Sequence, residues 1–191
     1  MSNKKDLVDI EFKDILKNSM TEINPLKEDR FFCIILFVSL FAYIIFFIGE
    51  ENTTSRFIEI NSIMFETGIA LFALGMTIYT FLMSFSVKAT LLELSKREYP
   101  KEEKNYLNKF LNCFESTLVL LFVLCFYTFL IRLISIDMLR MILVITGKLV
   151  PAIVTFVYLF ISIRIIYEVK NLLYNAYIFI RFNVKQMFNN Y

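Results

Sequence analysis

The sequence predicts an all-α membrane protein with four transmembrane helices per protomer, and three observations predict it. Four apolar runs fill most of the 191-residue chain, each about 20 residues long, the length of helix that crosses a hydrocarbon core of about 30 Å. Hydrophobic residues make up 58% of the chain and the mean hydropathy is +0.62, above the range of water-soluble domains. The polar remainder falls into pieces of about 30 residues or fewer, each below the size of an independent domain.

Charge orients these runs. Lys4, Lys5, Lys13, Lys17, Lys27 and Arg30 precede the first run. Lys88, Lys96, Arg97, Lys101, Lys104 and Lys109 lie between the second and third, and Arg164, Lys170, Arg181 and Lys185 follow the fourth. Arg56 alone lies between the first two. The positive-inside rule therefore places both termini and the central loop in the cytoplasm, with 16 of the 20 basic residues on that side. A net charge of +2, with basic and acidic residues interleaved, gives no nucleic-acid motif.

Residues 1–30 read as a cytoplasmic amphipathic segment, with Val8, Phe12, Ile15 and Leu16 on one side of a short helix and Asn24-Pro25 ending it. Such a helix lies on the inner leaflet or docks a partner. No cleavable signal peptide is expected, because the first apolar run begins at Phe31 behind a segment as acidic as it is basic.

The transmembrane domain is expected over 31–167, with spans at about 31–49, 63–87, 116–136 and 141–163. The first span has only Ser39 and Tyr43 as polar interruptions, which suits a peripheral helix. Glu50 to Asn61 reads as an external segment. The second span is long enough to tilt or project, and Pro100 then turns the chain into a helix that leads to the third span. Spans two and three thus join through a cytoplasmic helical hairpin. Asp137 to Arg140 form a short external turn that makes spans three and four antiparallel neighbours. Gly147 and Pro151 predict a helix kink in the fourth span. Residues 168–191 read as a cytoplasmic or interfacial tail, with Tyr174, Tyr177, Phe179, Phe182 and Phe188 among polar residues. No inverted repeat of the kind found in secondary transporters is visible.

The second span carries the feature closest to function. At about 100° per residue, Glu59, Ser62, Glu66, Ala70, Ala73, Thr77, Thr80, Ser84 and Lys88 fall within about 40° of one line, with no large apolar residue among them. Gly68 and Gly75 lie nearly opposite. Glu66, Ala70, Ala73, Thr77, Thr80, Ser84 and Lys88 are the candidate pore-lining residues. Two readings stay open: a water-facing stripe, or a dry seam of small residues between helices.

Glu66, Arg132 and Lys148 are ionisable groups in the outer half of the membrane, at depths of about 5, 6 and 10 Å for the spans given. Arg132 can snorkel to the headgroups and Glu66 can sit at the interface. Lys148, beside Gly147 and Pro151, suggests a Glu66 to Lys148 pair or a charged ring in an oligomer.

The three cysteines, Cys33, Cys113 and Cys125, lack metal-ligand spacing, and the chain has no histidine, so neither a metal site nor a disulfide framework is expected. Paired carboxylates, an activated nucleophile and a phosphate-cradling glycine loop are all missing, so no enzyme and no cofactor are expected. The remaining expectation is a homo-oligomer in the lipid bilayer, taken as a tetramer, in which the second helices surround a polar path.

In size, four-span topology and lack of a soluble domain, the chain resembles the small membrane proteins of bacterial anti-phage systems, the channel-forming effector of Hailong and, less closely, the membrane subunit of Kiwa. Abundant Phe, Ile, Asn, Lys and Tyr suggest an AT-rich bacterial gene. The resemblance implies a channel or pore-forming effector in the bacterial inner membrane, gated through its cytoplasmic segments by a cytosolic regulatory protein or a nucleotide-type signal. The alternative is a non-conducting membrane anchor or sensor that recruits a cytosolic defence partner.

Overall fold

A computed structural model describes residues 30–49, 53–85, 106–134 and 149–189, together with Ile15, Lys17, Leu91, Leu92, Leu94, Lys96 and Met141. Four long helices account for nearly all of them: α1 Arg30–Gly49, α2 Thr53–Phe85, α3 Tyr106–Leu133 and α4 Leu149–Asn189. Three are long and apolar enough to cross a membrane, within Thr54–Ser84, Phe110–Leu133 and Leu149–Lys185, whereas the apolar part of α1, Arg30–Ile45, is shorter. Most of the 1–30 segment, most of the central hairpin, and Gly147 and Lys148 lie outside the described residues.

Helix boundaries differ from the apolar runs because a helix need not end where the lipid does. The 33-residue α2 rises about 50 Å and begins at Thr53, so residues 53–61, read from the sequence as an external segment, are helical. Phe57 and Ile60 pack inward there, and Arg56 pairs with Glu59 at 3.3 Å on the exposed side. The C-terminus of α3 closes with a tightened turn in which the Ile134 N–H donates to the Ile131 carbonyl at 3.1 Å.

The 41-residue α4 runs without a break through Arg164 and residues 168–189, so the tail expected there continues the helix. Pro151 lies in α4, while Gly147, its partner in the expected kink, is outside the described residues.

The chain divides into two units. The first comprises Glu22–Leu71 and Leu121–Tyr167. It packs α1 through Cys33, Leu36, Leu40 and Ile44, which recur at three- and four-residue steps and are buried, while Phe31, Ile34, Ile35, Phe37, Val38 and Phe41 point outward. Leu36 and Leu40 meet Tyr158 and Leu159 of α4. Phe32 stacks on Tyr167 with ring centroids 3.7 Å apart, and Phe37 meets Phe156 edge-on at 5.2 Å. Where lipid replaces water, van der Waals contact of this kind and hydrogen bonds, rather than the hydrophobic effect, hold helices together.

The second unit includes Phe72–Leu120 and Glu168–Tyr191. Its core joins Leu82, Phe114, Leu172, Ala176 and Phe179, with Ile78, Tyr79, Leu91, Leu94 and Phe110 packed against them. Phe110 bridges α3 and α4 here, 4.6 Å from Phe179 in a stacked pair.

Candidate functional site

Helix α2 has a buried face and an exposed stripe on opposite sides. Its buried residues are Asn61, Gly68, Gly75 and Leu82, each seven positions after the last, and at 100° per residue they lie on one side. This heptad step is the seam through which the helix packs in its own chain. The stripe lies opposite. Glu59, Glu66, Ala70, Ala73, Thr77, Thr80 and Ser84 are all exposed and Ser62 is half-buried, while Lys88 lies outside the described residues. Within its own chain, therefore, α2 turns the stripe away from the helices that support it.

Hydrogen bonding on the stripe is local. The Thr77 hydroxyl donates to the Ala73 carbonyl and the Thr80 hydroxyl to the Met76 carbonyl, each at 2.8 Å. A threonine that spends its proton on the preceding turn presents only oxygen lone pairs outward, so these positions can accept hydrogen bonds or face a cation. Glu66 accepts from Ser62 Oγ at 3.3 Å. Arg132, exposed near the end of α3, places its Cζ 5.5 Å from the centre of the Phe65 ring. Among the described residues Glu66 and Arg132 form no ion pair with each other, and the Lys148 expected beside Glu66 lies outside them.

A second polar group, which sequence reasoning missed, lies inside the first unit. Asn61 is 2% exposed; its Nδ2 donates to the Thr128 carbonyl at 3.1 Å, and its Oδ1 accepts from the Tyr158 hydroxyl at 2.7 Å. Ser162 donates to the Tyr158 carbonyl at 2.7 Å, so in the 2.6 Å contact between Ser162 and Tyr127 the phenol is the donor. Three helices are thus joined by hydrogen bonds between buried and half-buried side chains.

Asn61→Leu should leave the Tyr158 hydroxyl without its acceptor and lower stability by about 1–2 kcal/mol. A double-mutant cycle with Tyr158→Phe, read by SDS-induced unfolding in mixed micelles, should show clear coupling. Strictly additive effects would mean that this bond contributes nothing.

The remaining buried charges sit on α4. Arg164 and Glu168 are 2% and 3% exposed. The Arg164 guanidinium lies 5.6 Å from the Tyr167 ring centre, and Glu168 Oε2 accepts from Asn171 at 2.7 Å. Their spacing of four residues, with apolar residues continuing on both sides, was the sequence signal that they belong inside one helix. Among the described residues no group of three His, Cys, Asp or Glu side chains could hold a metal ion.

Helices of this length and apolarity are those of a helical membrane protein. No protein-family model, no curated protein and no solved structure matches the chain.

Proposed function

We propose that the chain is one protomer of a homo-oligomeric channel or pore-forming effector in the bacterial inner membrane. All four helices cross the bilayer, and the α2 stripes of several copies surround a polar path. The observation that carries this reading is the contrast between two exposed faces. On α1 the outward residues are mostly Phe, Ile and Val, with Ser39, Ala42 and Tyr43 among them, which suit lipid; on the α2 stripe they are Glu, Ala, Thr and Ser. An ionisable Glu66 at the outer edge of the hydrocarbon is costly against lipid and is accommodated by water or a neighbouring copy. From Thr67 to Phe85 the helix has no charge and rises about 28 Å, close to the hydrocarbon thickness, so Glu66 marks one mouth of the path and Lys88 follows the other end.

Control from the cytoplasm by a regulatory protein, and a role in anti-phage defence, rest on the resemblance in size and topology. The purified protein in liposomes should carry ion flux as an oligomer. An oligomer that leaves the liposomes as tight as protein-free ones would overturn the channel reading. It would favour the alternative, a non-conducting anchor or sensor, in which the stripe is a dry contact between copies. That alternative has its own support in the Thr77 and Thr80 hydroxyls, which are satisfied by their own backbone and need no water.

The proposed topology puts both termini in the cytoplasm. In a background with Cys33, Cys113 and Cys125 replaced by alanine, single cysteines at Ser2, Asn52 and Asn190 should be labelled from outside only at Asn52. Labelling at Ser2 by an impermeant maleimide in intact cells would reject it.

A further inference from the structure

In a ring of copies around an axis normal to the membrane, rotation leaves every residue at its own depth. Two charges can therefore neutralise each other between copies only if they already sit at one level within a single copy. Glu66 and Arg132 meet this condition. The Arg132 guanidinium lies over Phe65, the residue beside Glu66, and Phe65 also packs on Phe129, with ring centroids 6.2 Å apart, which seats α2 beside α3 at this level.

Both charges are exposed, and among the described residues their contacts are neutral: a serine hydroxyl for Glu66 and an aromatic ring for Arg132. No side chain of opposite charge lies within ion-pair distance of either among the described residues. Glu66 belongs to the face of α2 turned away from its own supporting seam, the face that a second copy can approach. A ring of Glu66 side chains alone would repel itself, whereas alternation with arginines removes that repulsion.

We infer that α2 meets a second copy of this chain at the level of Glu66, the mouth of the stripe, and that Glu66 of one copy pairs with Arg132 of the next. The inference rests on the proposed assembly around a membrane-normal axis, and it needs no ion conduction.

The test is complementation between copies. E66R alone and R132E alone should each lower the oligomeric fraction about tenfold or more, because each places like charges at every junction. Co-expression of the two variants, each with its own tag, should restore the oligomer, since alternating copies then meet opposite charges at both of their junctions. Rescue by E66R with R132E in one chain, but not by the mixture, would assign the pair to a single copy and overturn the inference. Single reversals that leave the oligomer intact would overturn it too, leaving the charges to water and lipid headgroups.

If the reversals prevent membrane insertion, differently tagged copies carrying E66C and R132C in the cysteine-free background should cross-link to each other with a short bis-maleimide. Cross-linking only between identical variants, or none, would reject the pairing. Flux is read separately. A cross-linked ring that does not conduct supports the pairing and removes the channel reading, while a conducting oligomer without the cross-link does the reverse.

Discussion

Thr77→Leu is expected to reduce ion flux to the level of protein-free liposomes while the oligomer remains intact. Thr77 lies midway along the α2 stripe, exposed, with its proton committed to the Ala73 carbonyl. Its oxygen lone pairs and small size are what it offers to a path, and leucine removes both, replacing them in every copy with an apolar constriction that dewets. The fold of the protomer should hardly respond, because Thr77 faces away from Gly75 and Leu82, through which α2 packs in its own chain. Thr77→Val separates shape from chemistry, as it is nearly isosteric but has no hydroxyl. Flux and oligomer size, measured on the same purified samples, decide the matter. If Thr77→Leu removes the oligomer and leaves no assembled, non-conducting form, the stripe is a dry seam between copies and the channel reading fails.

The sequence located the helices better than their limits. The α1 range was legible from Arg30 before the apolar run and Gly49-Glu50 after it. The start of α2 was not, because Arg56, Glu59 and Asn61 look like loop residues when a span is defined by charge. In the structure Arg56 and Glu59 sit on the exposed side of a continuous helix, and Asn61 turns inward to hydrogen-bonding partners 67 and 97 residues away. Partners so distant leave no trace in local periodicity. Arg164 misled for the same reason, since a charge reads as the end of a span unless its environment is known. The apolar pattern did continue past it, through Val169, Leu172, Ala176 and Phe179, all buried.

The candidate site was legible as a stripe, and Gly68 and Gly75 were legible as its opposite face. Their continuation to Asn61 and Leu82 at seven-residue spacing was present in the sequence but lay outside the residue classes that define the stripe. Placement of Arg132 beside Phe65 depends on how α2 and α3 pair, which residue spacing within either helix does not determine.

Gly68→Leu is expected to remove most of the folded protein, the opposite outcome to a leucine nine residues further along the same helix. A Cβ at Gly68 would lie 3.2 Å from Cys125 Sγ and 3.4 Å from Cγ and Cδ2 of Leu124, so α3 occupies the space a side chain would need. A full leucine cannot be absorbed by small adjustments, and the overpacking should cost about 3 kcal/mol or more, a large share of the total for a marginally stable protein. Gly68→Ala is a finer probe because two effects oppose each other. Alanine favours the helix over glycine by up to about 1 kcal/mol, while the added methyl crowds the Cys125 sulfur. Cys125→Ala should relieve that crowding, so Gly68→Ala should stabilise the protein more in the Cys125→Ala background than in the native chain. Unfolding in mixed micelles across the four combinations measures this coupling, and detergent-extracted yield reports the fate of Gly68→Leu. Native-like yield and stability for Gly68→Leu would show that α2 and α3 do not pack through this glycine, and would remove the physical basis for placing the stripe on the free face of α2.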